Sequence, residues 1–293
     1  MGNEENIKEL TALISMMDEP DENVYDRIRQ RIIDLGEGAL PSLEKAWENA
    51  FEEFTRQRIE ELINTINFES IRQQLREWVD ANQDDLLKGA LLLSRYHYHY
   101  LDIKRITHDL GQIVQDVWLE MNDRMNPLEK IKVLNHILFE VYKFVPTRPP
   151  QYTLQDYFIH NVIDLKRGSS TTLGILYLII AQSLKLPVYG VNLPYNMVIA
   201  FLENNPGHYI QDPENDPVLF YINPFFKGMV FIRKEIDRFL KDNKIEPQPQ
   251  FYTPCNNVQI LQRLAAEMRM MYEIEGDGEK VEGMDQLIAI LRA

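Results

Sequence analysis

The amino-acid sequence predicts an α+β fold, and three observations support this prediction. Residues 1–145 repeat apolar side chains at helical spacing, with breaks at Pro or Gly. The segment STTLGILYLIIAQSLKL, which starts at Ser170, is apolar nearly all round and therefore predicts a central, buried helix. After it come three apolar, β-branched segments, VYGVNLP, MVIAFLE and VLFYINPF, which predict strands. Together these patterns predict one buried helix that packs on a small antiparallel sheet and is surrounded by many other helices.

The order of these patterns predicts four parts along the chain. Residues 1–67 form helical pairs, the last helix running from Phe51 to Ile66, and their spacing is similar to that of HEAT-type repeats. A plain helical bundle would have the same pattern. Residues 68–150 form a helical lobe that ends at PTRPP, where the prolines disfavour regular structure. Residues 151–250 form the helix-and-strand core, and residues 251–293 form a closing helical pair.

Composition and charge exclude several classes of protein. The chain has 293 residues, 45% of them hydrophobic, and a formal net charge of -14 without a cluster of Lys and Arg. Binding to nucleic acid or to an anionic membrane surface is disfavoured, because both need a basic footprint. A single cysteine, Cys255, rules out a disulfide framework and a multi-cysteine zinc site. The acidic N-terminal segment and the short apolar runs predict a soluble, cytoplasmic protein.

The helix and strands of the core carry a resemblance to a known family. The string LKRGSSTTLGILYLIIAQSLKLPVYGVNLP, together with VIAF and FYINPF, resembles the SirB-type branch of the transglutaminase-like, papain-related superfamily. ALISMMDEPDENVYDRI and FYTPCNNVQILQRLAAEMRMMY resemble flanking helices of the same branch. The resemblance implies a transglutaminase-like core with a Cys-His-Asp triad. In such a triad the dipole of the buried helix stabilises a thiolate, a His takes its proton, and an Asp orients the imidazole.

All three triad positions are replaced in this chain. The resemblance places the Cys position at Ser170, the His position at Asn196 and the Asp position at Asn223. A Ser hydroxyl is far less acidic than a thiol, and the amide of Asn196 cannot accept a proton near neutral pH. The sequence therefore predicts a pseudoenzyme without a cofactor. The alternative is a weak serine-dependent hydrolase or acyl-transferase that uses Ser170.

The vacated pocket has two interpretations. It either binds a peptide backbone, or an acidic or amide side chain, without cleavage, or its residues only cap the helix and the strand ends. The pocket candidates are Ser169, Ser170, Thr171, Tyr195, Asn196 and Asn223. In the first case the protein is a protein- or peptide-binding, or regulatory, scaffold whose leading helices provide a partner surface. The sequence leaves the oligomeric state open.

Other histidines, and the cysteine, provide alternative chemistry. His208 lies between the second and third predicted strands and is interpreted as an exposed turn residue rather than as a rescuing base. Cys255 is interpreted as a buried structural cysteine, and His160 as a residue with a packing or capping role. His97 and His99 in YHYHY would bind a metal only if that segment were a strand. A helix end with ring packing is the preferred interpretation, so no metal site is predicted.

Overall fold

The computed structural model of the chain describes residues 2–203 and 218–293. It is mostly helical with small sheets, which confirms the predicted α+β fold. The chain divides into two compact units. The first unit comprises Met1–Arg76 with Arg95–Tyr100, and the second comprises Glu77–Ser94 with Leu101–Ala293.

Four helices build the first unit, and the last of them continues into the second. They are α1 (Gly2–Ile14), α2 (Glu22–Asp34), α3 (Leu40–Asn49) and α4 (Glu53–Ala81). Asp21 caps α2 by accepting hydrogen bonds from the backbone N–H groups of Asn23 and Val24. Their apolar faces enclose a core that includes Ile32, Leu43 and Leu62.

A buried arginine fixes the connection between α1 and α2. The guanidinium of Arg58 donates hydrogen bonds to the carbonyls of Met17 at 3.2 Å and Glu19 at 2.7 Å. It also pairs with Glu22 at 2.7 Å and stacks 3.6 Å above the ring of Tyr25. The charge is satisfied on every side, so its burial within this unit is tolerated.

The helix predicted to end at Ile66 continues to Ala81 as α4. No Gly or Pro interrupts residues 53–81. Beyond the predicted break, Ile71, Leu75 and Trp78 are buried at spacings of four and three residues. The predicted break was therefore wrong, because nothing in the sequence terminates the helix there.

The second unit contains the remaining helices and strands of the described residues. Its helices are α5 (Leu86–Arg95, whose last residue belongs to the first unit), α6 (Ile103–Glu120), α7 (Pro127–Asn135), α8 (Ile159–Leu165), α9 (Ser170–Ser183), α10 (Arg233–Asp242), α11 (Asn257–Glu275) and α12 (Gly278–Arg292). Its strands are β1 (Val145–Pro146), β2 (Arg167–Gly168), β3 (Val188–Leu193), β4 (Asn196–Leu202), β5 (Val218–Asn223) and β6 (Met229–Phe231). β3, β4, β5 and β6 form one antiparallel sheet in that order, and β1 pairs with β2 in parallel.

The three predicted strands are β3, β4 and β5, whereas β6 and the β1–β2 pair were not predicted. The prolines after Val145 suggested irregular structure, yet a short strand forms there. Val145 donates its N–H to the carbonyl of Lys166, and Thr147 donates to Gly168. Pro146 lies between these two donors, where the ladder needs no N–H, so the proline is accommodated.

Helix α9 is the buried centre of the second unit, as predicted. Eleven of its fourteen residues are buried. Gly174 of α9 lies against Met197 of β4, where a Cβ would be 3.1 Å from Met197 Sδ. The opposite face of the sheet packs on Ile236 and Leu240 of α10.

Among residues 2–203 and 218–293, no helix combines the length and apolarity needed to cross a membrane.

Candidate functional site

The N-terminus of α9 is held by its own cap and by the preceding loop. Ser169 is the N-cap, and its Oγ accepts a hydrogen bond from the N–H of Thr172 at 3.2 Å. The carbonyl of Asp156 accepts bonds from Ser169 N–H at 3.0 Å and from Thr172 Oγ1 at 2.7 Å. Gly168 completes the turn, where a Cβ would lie 2.7 Å from atoms of both Val162 and Thr172. The position of the next residue, Ser170, is thereby fixed.

The side chain of Asp156 secures the same loop from within. Asp156 is buried, and its carboxylate accepts hydrogen bonds from Thr147 Oγ1 at 2.6 Å and from the N–H of Thr153 at 2.9 Å. Arg167 Nε lies 3.5 Å from the same carboxylate. Sequence reasoning missed Asp156. The TLQD segment, a capping box of Thr153 with Asp156, is the signal that could have identified it.

Ser170 opens α9 and faces the start of β4. Its Oγ accepts a hydrogen bond from the N–H of Met197 at 3.1 Å, and only 5% of the residue is exposed. Met197 directly follows Asn196, so the first two predicted triad positions lie close together. Within the described part of the chain, no imidazole or carboxylate is hydrogen-bonded to the Ser170 hydroxyl.

The third triad position lies on the neighbouring strand. Asn196 begins β4 and Asn223 ends β5, and these strands pair with Ile199 opposite Ile222. In this register Asn223 and Asn196 belong to the same face of the sheet as Val198, which is the face that packs on α10, whereas Met197 belongs to the face that packs on α9. Asn223 is buried, and its Oδ1 accepts from the N–H of Phe225 at 3.1 Å, which caps a short 3-10 helix. Among the residues described, no hydrogen bond joins the side chains of Ser170, Asn196 and Asn223 to one another.

Thr171 belongs to a buried polar cluster that sequence reasoning did not find. Its Oγ1 donates to Glu267 Oε1 at 2.8 Å, and Arg263 Nε donates to Thr171 at 3.1 Å and to Glu267 at 2.9 Å. Arg263 Nη1 also donates to the carbonyl of Leu193 at 2.8 Å. Burial raises the pKa of Glu267, an effect that Arg263 and Thr171 partly offset. The available signal in the sequence was the spacing of Arg263 and Glu267, which lie four residues apart on α11 and can form a charge pair.

Tyr195 is the most open of the pocket candidates. It lies in the turn between β3 and β4 with a left-handed φ of 65°, and 73% of it is exposed. Its ring meets Phe239 of α10 edge-on at 6.5 Å. Asn196 is half-buried. The other candidates are all buried, and each has a hydrogen-bond partner inside the protein; they are Ser169, Ser170, Thr171 and Asn223.

Within the described residues, neither Cys255 nor His160 is hydrogen-bonded to Ser170. Cys255 donates its N–H to the Gly190 carbonyl at 2.8 Å, with Sγ 3.2 Å from the same oxygen, and burial raises the pKa of the thiol to about 12. His160 is buried on α8, with its ring 5.9 Å from that of Phe158. His208 lies outside the described residues.

The histidines of YHYHY lie in a loop after α5 rather than in a strand. Tyr96 packs on Phe68 at 5.4 Å between ring centroids, and His97 packs on Tyr98 at 4.8 Å. Over residues 2–203 and 218–293, no three His, Cys, Asp or Glu side chains group as metal ligands.

Comparison with known proteins decides the family. Residues 104–266 match the family described as the transglutaminase-like superfamily, which is more than half of the chain. This chain belongs to the transglutaminase-like superfamily. The matched stretch contains the whole sheet and α9, and therefore all three predicted triad positions.

Several curated proteins are similar to the chain at low identity. F-box only protein 21 of Mus musculus is 21% identical over 231 residues, which cover 71% of this chain and 35% of that protein. A UPF0162 protein of Pasteurella multocida is 28% identical over 131 residues, covering 41% and 50%. A UPF0162 protein of Buchnera aphidicola subsp. Acyrthosiphon pisum is 32% identical over 174 residues, covering 59% and 60%. The chain thus spans less than two thirds of each of these relatives. No solved structure matches it.

Proposed function

We propose that this chain is a catalytically inactive, SirB-type member of the superfamily that acts as a protein- or peptide-binding scaffold. One observation supports the loss of catalysis above all others. The Ser170 hydroxyl accepts a hydrogen bond from Met197 N–H, and within the described residues no base is hydrogen-bonded to it. A serine nucleophile needs a neighbouring group that takes its proton, and Asn196 and Asn223 have no proton affinity near neutral pH.

The nearby Thr171–Glu267 pair is a poor substitute for the missing triad. Thr171 donates to a carboxylate, as an activated nucleophile would, but its side chain is fully buried. Glu267 also accepts a hydrogen bond from Arg263, which stabilises the charged carboxylate and weakens it as a base. The pair therefore favours a structural role, in which it ties α11 to the start of α9.

Two features support a binding role: the negative net charge of the chain and the helices that lie outside residues 104–266. The net charge of -14 favours a neutral or positively charged protein partner over nucleic acid or an anionic membrane. The first unit lies outside the matched residues 104–266 and provides helical surface for such a partner. No step of this proposal requires a cofactor or a metal. We place the protein in the cytoplasm, where a lone, unpaired Cys255 is compatible with the reducing environment.

A reactivity experiment tests the loss of catalysis. Under conditions that label an active serine hydrolase, a fluorophosphonate probe is expected to leave Ser170 unlabelled, because no base activates the hydroxyl. Mass spectrometry of the tryptic peptides would locate any adduct. An adduct on Ser170 that disappears in Ser170→Ala would contradict the proposal and favour the hydrolase or acyl-transferase.

Restoring the triad provides the matched positive test. The triple variant Ser170→Cys, Asn196→His, Asn223→Asp should react with iodoacetamide near neutral pH about tenfold faster than Ser170→Cys alone, because a neighbouring imidazolium stabilises the thiolate. Cys255 contributes little background, since burial raises the pKa of its thiol. Ser169→Cys with the same two partner substitutions is the control. Equal rates for the triple variant and Ser170→Cys would mean that these are not the triad positions.

A further inference from the structure

The first unit exposes an unusual group of apolar side chains. Phe51, between α3 and α4, has a relative exposure of 102%, the full value for this residue. Met16, Trp47 and Phe54 are also exposed, and they lie just after α1, in the last turn of α3 and at the start of α4. Single exposed apolar residues are ordinary, whereas Phe51 is both fully exposed and part of a groove.

Phe51 lines a groove with a volume of about 330 Å³. Apolar and acidic side chains share its wall, namely Ile14, Met17, Ala50 and Phe51 with Asp18 and Glu52. A groove of this composition offers both an apolar contact and a negative potential to the same ligand.

The negative charge of this surface is uncompensated. Within the described residues, the side chains of Asp18, Glu52 and Glu53 form no hydrogen bond or ion pair. The neighbouring Arg56 is already engaged, since it donates to the Ala50 carbonyl at 3.0 Å and stacks 5.5 Å from the Trp47 ring. These carboxylates are therefore free to pair with a Lys or Arg of a partner.

The groove is also preformed. Arg58 is buried and donates to the carbonyls of Met17 and Glu19, the residues on either side of Asp18. These bonds fix the backbone that carries Asp18, so a ligand would not have to order this side of the groove.

We infer that this groove binds a positively charged peptide segment of a partner protein. An apolar side chain of the peptide packs on Phe51, and a Lys or Arg beside it pairs with Asp18 and Glu52. A second copy of this chain is a poor occupant, because each copy carries a net charge of -14. The inference rests on the proposed binding function and names the chemistry of the partner.

Fluorescence anisotropy with a labelled peptide of alternating Lys and Leu tests the apolar contact. The intact chain should bind this peptide and leave a matched Glu–Leu peptide unbound. Phe51→Ala should weaken binding about tenfold, as expected for an anchoring aromatic residue. Phe226→Ala removes an exposed phenylalanine of the second unit and should leave affinity unchanged. Equal affinities of the two Phe variants, or of the two peptides, would overturn the inference.

A pair of charge variants separates this groove from the general acidity of the chain. Asp18→Asn with Glu52→Gln should weaken binding several-fold and reduce its dependence on salt. Glu120→Gln with Asp123→Asn removes the same charge from exposed positions of the second unit and should leave affinity within about twofold. Similar losses in both variants would show that binding does not depend on the groove. If the groove variants fail this test while the fluorophosphonate probe leaves Ser170 unlabelled, only the groove is excluded as the binding surface. If the probe labels Ser170, the proposed function is contradicted whatever the peptide result.

Discussion

Ser170 carries a hydroxyl oxygen at the position where the family resemblance implies the sulfur of a cysteine. At the N-terminus of a helix, a thiol ionises with help from the helix dipole, whereas an alcohol remains protonated. Ser170 and Asn223 nevertheless make the hydrogen bonds that this part of the fold needs, to Met197 N–H and to Phe225 N–H. Both side chains therefore have a structural role at these positions, whether or not the site is catalytic.

Arg263 and Glu267 make stability depend on pH. Burial raises the folded-state pKa of Glu267, so its contribution to stability is present below the ordinary Glu pKa and is lost as pH rises through the raised value. Arg263 opposes this increase. Arg263→Met should therefore raise the pKa further and cost about 3–5 kcal/mol at neutral pH, with a smaller loss near pH 5. Urea unfolding across this pH range measures both effects.

Arg269 is the matched control on the same helix. It pairs with Glu273 at 2.9 Å and with Asp285 at 2.6 Å, and both partners are well exposed. Arg269→Met should cost less than about 1 kcal/mol, with little change between acid and neutral pH. If Arg263→Met and Arg269→Met gave parallel profiles of stability against pH, the buried carboxylate would not be the titrating group.

At the scale of an element, the start of α9 depends on a glycine that no periodic pattern identifies. A Cβ on Gly168 would lie 2.7 Å from Val162 Cγ2 and from Thr172 Oγ1. Because Thr172 Oγ1 donates to the Asp156 carbonyl, a side chain at residue 168 would disturb the cap as well as the packing. Gly168→Ala should destabilise the protein by about 2–3 kcal/mol, measured by urea unfolding.

Gly111 of α6 provides the opposite control. Nothing lies within 4 Å of a Cβ built there, and the residue is inside a helix. Gly111→Ala should therefore stabilise the chain by up to about 1 kcal/mol, because alanine has the higher helix propensity. A Gly168→Ala variant as stable as Gly111→Ala would mean that the turn before α9 adapts freely.

On the scale of the whole molecule, Arg58 belongs to the first unit, whose apolar core includes Ile32, Leu43 and Leu62. Arg58→Ala leaves two backbone carbonyls and Glu22 without their donor and should destabilise the first unit by about 3 kcal/mol. Hydrogen exchange should then quicken for amides of α1 to α3, while amides of α9 and the sheet keep their protection. The exposed Arg27→Ala is the control. Equal loss of protection in both units would show that they unfold as one.

The sequence indicated some of the residues described around the start of α9 and gave no sign of others. Family resemblance proposed Ser170, Asn196 and Asn223, which lie on neighbouring elements of the second unit. It gave no indication of Asp156 or of the Thr171–Glu267–Arg263 cluster. Thr171 and Glu267 are 96 residues apart in the chain, so no local pattern connects them. Their pairing arises only when α11 packs beside α9.

The sequence by itself determined the α+β class, the buried helix α9 and three strands of the sheet, because apolar periodicity follows directly from which side chains must leave water. Only the tertiary structure decided that Ser170 Oγ accepts a hydrogen bond from a backbone N–H and that Pro146 lies in a strand. It also decided that Phe51 is exposed while Arg58 is buried. Each of these depends on partners distant in sequence. Whether a polar group is hydrogen-bonded, and whether a side chain is buried, depends on those partners as well as on the residue type.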